Sequence, residues 1–86
     1  MKLGKEQIKD WIIFKLSYKR IWEKRHISET NLVKPYKEMK KNIIKQADIL
    51  VKEGILVKFP HTGETHYHLN PRMGDKIKEI VRGYKP

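Results

Sequence analysis

The stretch Ile49–Ile77, ILVKEGILVKFPHTGETHYHLNPRMGDKI, changes its periodicity at Gly54, and that change decides the fold. Up to Glu53 the apolar residues belong to a helical stripe: Ile43, Ile44, Ala47, Leu50 and Val51 stand at i, i+1, i+4, i+7 and i+8. Gly54 follows the last of them, where a left-handed C-cap is expected, so the helix should run from Lys40 to Glu53. From Ile55 the chain is rich in β-branched and aromatic residues and is broken by Thr62-Gly63, which predicts a β-hairpin over 55–69. Gly63 supplies the positive φ of a tight turn, and Pro60 stands where an edge strand can spare its missing amide. Asn70 and Pro71 close the second strand, and Ile77, Ile80 and Val81 mark a short last helix.

Toward the N-terminus, Ile8, Trp11, Ile12, Phe14 and Leu16 recur near helical spacing, giving a first helix from Lys5 to about Lys19. Four contiguous apolar residues, Trp11 to Phe14, spread around such a helix. Some of them are therefore expected to meet a surface beyond the chain's own core, making Trp11, Phe14 and the Ile77, Ile80, Val81 region a homodimer interface. Arg20–His26 reads as a connection that ends in a short extended piece at His26 and Ile27. Ser28 is an N-cap candidate for a second helix, which Pro35 must end or bend. The order is helix, strand stub, helix, helix, strand, strand, helix. That is an α+β chain, and 86 residues are too few for two independent cores, so one domain over 1–86 is expected.

The balance of 20 Lys plus Arg against 10 Asp plus Glu leaves a formal charge of +10, which favours a polyanionic partner. Nucleic acid comes first and an anionic membrane second. The absence of cysteine excludes disulfides, thiolate zinc fingers and thiol nucleophiles. The longest apolar run has four residues, against roughly 18 to 20 for a membrane span, and the opening MKLGKEQIKD has no apolar signal core. A cytoplasmic protein without a membrane partner is expected.

The run "ILVKEGILVKF", a glycine-containing turn, and then "THYHLNPRMGDKI" resemble the winged helix-turn-helix superfamily, especially small repressors of the MarR and ArsR type and their archaeal and viral relatives. The resemblance spans nearly the whole chain. It implies a three-helix core, a β-hairpin wing and a short C-terminal helix, and it implies binding to double-stranded DNA.

A helix fits the major groove while a hairpin reaches a neighbouring phosphate line. On helix Lys40 to Glu53 the base-facing candidates are Lys41, Asn42, Lys45 and Gln46, because Asn and Gln pair bidentately with adenine and Lys reaches guanine acceptors or phosphate. Lys34, Lys37, Lys40 and Lys41 gather before and at the start of this helix as phosphate contacts; Lys58, His61, Thr62 and Thr65 are the candidates on the hairpin. Against them stands the ordinary reading of helical lysines as a solvated face.

His66-x-His68 puts two imidazoles on one strand face with His61 across the turn, a spacing that raises a metal site, although no fourth ligand has an obvious position and exposure alone explains hairpin histidines. No metal or cofactor is assigned. A Gly-rich phosphate loop, paired carboxylates and a nucleophile context are all missing, so no enzyme is expected. Two rivals share the charge and fold: a winged-helix protein-interaction module in a replication or transcription complex, and an RNA-binding module.

Overall fold

Gly54 and Gly63, with the side-chain caps of Ser28 and Asn70, mark where the chain changes direction. A computed structural model describes residues 4–84, so the first three and last two residues of the expected domain lie outside the described residues. The elements are α1 (Lys5–Tyr18), β1 (Ile27–Ser28), α2 (Glu29–Val33), a 3₁₀ segment (Lys34–Met39), α3 (Lys40–Lys52), β2 (Leu56–His61), β3 (Glu64–Leu69), a 3₁₀ turn (Pro71–Met73) and α4 (Gly74–Gly83). The chain is α+β, with helices packed against a small three-stranded antiparallel sheet of order β1-β3-β2.

Ser28 caps α2, its hydroxyl accepting from the Asn31 amide at 3.1 Å. Pro35 opens the next segment, where Tyr36 (φ −136°, ψ 61°) leaves helical geometry and produces the expected bend. α3 ends one residue short of its predicted boundary. Gly54 has φ 81°, its amide bonds Val51 O at 3.0 Å, and the Ile55 amide bonds Leu50 O at 2.9 Å, the paired bonds of a Schellman cap. α1 closes the same way without a glycine: Arg20 takes φ 58°, and Ile21 N bonds Leu16 O at 2.8 Å.

Thr62 (φ 49°) and Gly63 (φ 77°) both have positive φ, as the tightest hairpin turn requires. β2 is an edge strand, which is why Pro60 is tolerated opposite Thr65. β1 pairs the far side of β3, Ile27 against Tyr67 and Ser28 against His66.

One continuous core joins Ile8, Ile12, Ile13 and Leu16 of α1, Leu32 of α2, Ile43, Ala47 and Leu50 of α3, Leu56, Tyr67 and Leu69 of the sheet, and Ile77 of α4. The apolar belt of α1 finds its partners within the chain. Ile12 and Ile13 are buried, Trp11 meets Tyr36 edge-on at 5.2 Å, and Phe14 stacks on Tyr84 at 4.7 Å. Ile77 is fully buried. Among the described residues the one large exposed hydrophobic is Tyr18, so the unpartnered apolar surface that argued for a homodimer is absent there. No helix among the described residues is long and apolar enough to cross a membrane.

Candidate nucleic-acid interface

α3 turns its core side, Ile43, Gln46, Ala47 and Leu50, inward, and the opposite stripe at i, i+4, i+7 and i+11 is Lys41, Lys45, Asp48 and Lys52. The three lysines are exposed and Asp48 is half-buried. Asn42 is exposed beside Lys41. Gln46 does not face out: at 3% exposure it belongs to the core. The helix is rotated so that Gln46 takes the buried position that periodicity assigned to Ile44, while Ile44 and Val51 are left half-buried at the flank. Periodicity weighted those two β-branched residues as core and so misplaced the axis of the stripe.

The first turn of α3 has neither an acidic residue nor a side-chain cap. The partial positive charge of the helix start therefore adds to Lys40 and Lys41, although the Lys40 amide itself bonds the Lys37 carbonyl. A shallow groove at this end is lined by Lys37, Glu38, Met39, Lys40, Lys41 and Asn42. Lys34 is exposed but lines a different depression, with Lys15, Lys19, His26 and Asn31, so the four-lysine group expected around the helix start divides in two.

Strand alternation splits the hairpin candidates. Lys58, Pro60 and Thr65 lie on the sheet face that continues the core side of Leu56, Tyr67 and Leu69; His61 lies on the other. The Lys58 ammonium sits 3.1 Å from the Asp48 carboxylate, which ties the hairpin to the outer stripe of α3. Thr65 is half-buried beside Lys58, Phe59 and Pro60 along a shallow depression. Thr62 is exposed at the turn, and its hydroxyl donates to the His61 carbonyl at 2.7 Å. Glu64 turns toward α2: its carboxylate accepts from the Thr30 amide at 2.9 Å, and hydrogen bonding to Thr30 holds it below the usual carboxylate range.

No family model, curated protein or solved structure matches the chain.

All four histidines gather on the outward face of the sheet. His26, which the sequence reading left in the connection, leans over Phe59 and brings its Nδ1 to 2.7 Å from Nδ1 of His66. The rings of His26, His61 and His66 form a triangle with centroid separations of 4.7, 4.7 and 4.9 Å. His68, expected in this set, instead places its Nδ1 2.8 Å from the Leu69 carbonyl. Desolvation, then the neighbouring His61, His66 and His68, lower the pKa of His26. Among the described residues no group of three or more His, Asp or Glu side chains is placed to hold a metal ion.

Lys15 was also missed. Its ammonium lies 5.1 Å from the centre of the Trp11 ring and donates to the carbonyls of Asn31 and Leu32 at 3.2 Å each. Burial, then Lys19, push its pKa down. Helical spacing shows that Lys15 follows Trp11 by one turn, but not that α2 ends above it.

Proposed function

We propose that the chain is a winged helix-turn-helix protein that binds double-stranded DNA in a sequence-selective way and acts as a transcriptional regulator, a binding rather than a catalytic role. The observation that carries this reading is the exposed set Lys40, Lys41, Asn42 and Lys45 on α3, continued by Lys52 and joined through the Asp48–Lys58 pair to the hairpin. A helix presenting cations and one amide side chain, flanked by a hairpin with its own lysine, has the parts for base readout and phosphate positioning. The element order and the +10 charge support the same reading. Asn42 becomes the main base-reading side chain, since Gln46 is buried. Lys37, Lys41 and Lys58 serve as phosphate contacts. Two copies on a pseudo-palindromic site would have to associate with little apolar help from the described residues.

The test is fluorescence anisotropy on a duplex selected from a random pool, measured over a salt series. Asn42→Ala is expected to lose about 1 to 3 kcal/mol on the selected site while leaving random duplex unchanged. Lys41→Ala should weaken every duplex and reduce the salt slope by about one unit. A flat salt dependence overturns the DNA reading. Tighter binding to structured RNA than to duplex would replace it with the RNA-binding module, and weak binding with no selected sequence would favour the protein-interaction module.

A further inference from the structure

We propose that His26, His61 and His66 form a site for one divalent transition-metal ion of the imidazole-preferring class, with zinc and cobalt as its probes. The inference is independent of nucleic-acid binding. It stands on a juxtaposition that chain order does not predict: His26 arrives from the segment before β1, His61 from the end of β2 and His66 from β3.

The ring separations fit such an ion. A zinc–nitrogen bond of about 2.0 to 2.1 Å, plus roughly 1.1 Å from ring nitrogen to ring centre, puts the centres of three imidazoles on a tetrahedral ion about 5 Å apart. The observed triangle of 4.7, 4.7 and 4.9 Å is close to that spacing. What differs is the direction the nitrogens face. His26 and His66 aim their Nδ1 atoms at each other across 2.7 Å, a hydrogen bond in which one ring donates and the other accepts. As they stand the three do not converge on one point. His26 and His61 are exposed, so each can turn about its Cβ–Cγ bond; for an ion to take the place of the hydrogen-bonded proton, the donor ring moves that proton to its own Nε2 through solvent, which leaves both rings neutral with a free Nδ1 lone pair, and His61 presents a third.

The surroundings favour this trio over the other histidine. Phe59, 5.2 Å from His26 and 6.1 Å from His66, forms an apolar wall on one side. His66, at 9% exposure, is the fixed member, held in β3 between Ser28 and Phe59. His68 is engaged with the Leu69 carbonyl. Glu64, the nearest carboxylate along the strand, is committed to Thr30. The fourth position of a tetrahedral ion therefore falls to water or to an incoming ligand, on the exposed side of His26 and His61. Three neutral nitrogens with one open position suit zinc, nickel, copper and cobalt rather than magnesium or calcium, which take oxygen donors.

The experiment is isothermal titration of the full chain with zinc, paired with cobalt absorption spectra to report coordination geometry. The wild type is expected to bind one ion saturably and to give the intense visible bands of tetrahedral cobalt. His26→Ala and His61→Ala, both at exposed positions, should each weaken binding by no less than the roughly 10- to 100-fold that loss of an outer-shell partner costs. His68→Ala should leave affinity and spectrum unchanged. Circular dichroism confirms that each variant is folded. No saturable binding, full affinity in either His26→Ala or His61→Ala, or a loss with His68→Ala equal to theirs would overturn the site.

Discussion

The two faces of the three-stranded sheet have the same length and the same register, yet they obey different rules. The inner face, with Ile27, Leu56, Tyr67 and Leu69, is buried against the helices; the outer face carries His26, Phe59, His61, His66 and His68. A one-residue slip would exchange them, so burial of the inner set fixes the position of every outer side chain. The chemistry of the outer face is therefore arranged by residues that take no part in it.

The sharpest way to break that asymmetry is to truncate adjacent residues on opposite faces. Leu69→Ala, at a fully buried position, should cost about 2 to 5 kcal/mol in urea unfolding, whereas His68→Ala should cost less than about 1 kcal/mol. Comparable losses would mean that the outer face also carries the fold.

Tyr67 sharpens the comparison through pH. Desolvation, then Asp48 and Glu29, push its phenol up to about 12 from 10.0, so the fold favours the protonated form. That contribution is complete below pH 10 and is lost as the pH rises from about 10 to about 12, because the unfolded chain releases the proton first. Two pKa steps make the loss on the order of 3 kcal/mol. The stability of the wild type relative to Tyr67→Phe should fall by that amount across this window; parallel curves would mean that the phenol titrates alike in both states.

The smallest effect belongs to the pair that links the inner face to α3. Lys58 and Asp48 are both partly exposed, so a double-mutant cycle of Asp48→Asn with Lys58→Met should give a coupling below about 1 kcal/mol that fades with added salt. A larger, salt-insensitive coupling would make this contact part of the core's architecture.

The elements were legible in the sequence where a local cause sets them. Gly54, Ser28, Pro35 and the Thr62-Gly63 turn each act through their own backbone or a neighbour's, and each appears where its chemistry puts it. The interface residues were legible where they follow a stripe, as Lys41 and Lys45 do. Gln46 was misread because a polar residue at a core position looks like a surface residue until the helix rotation is known. His26 was beyond reach for another reason. It joins His66 only because β1 pairs with β3, 40 residues away, and no local spacing encodes that pairing.

The two hydrogen bonds from Lys15 give α2 a borrowed end. Five residues are too few for a helix to sustain itself, since nucleation costs more than one turn of bonds returns. Ser28 accepts from the Asn31 amide and Glu64 of β3 from that of Thr30, while the carbonyls of Asn31 and Leu32 accept from an ammonium that belongs to α1. The end of the helix is thus held by a side chain from another element, while Leu32, fully buried in the shared core, ties the opening of α2 to the core as a whole.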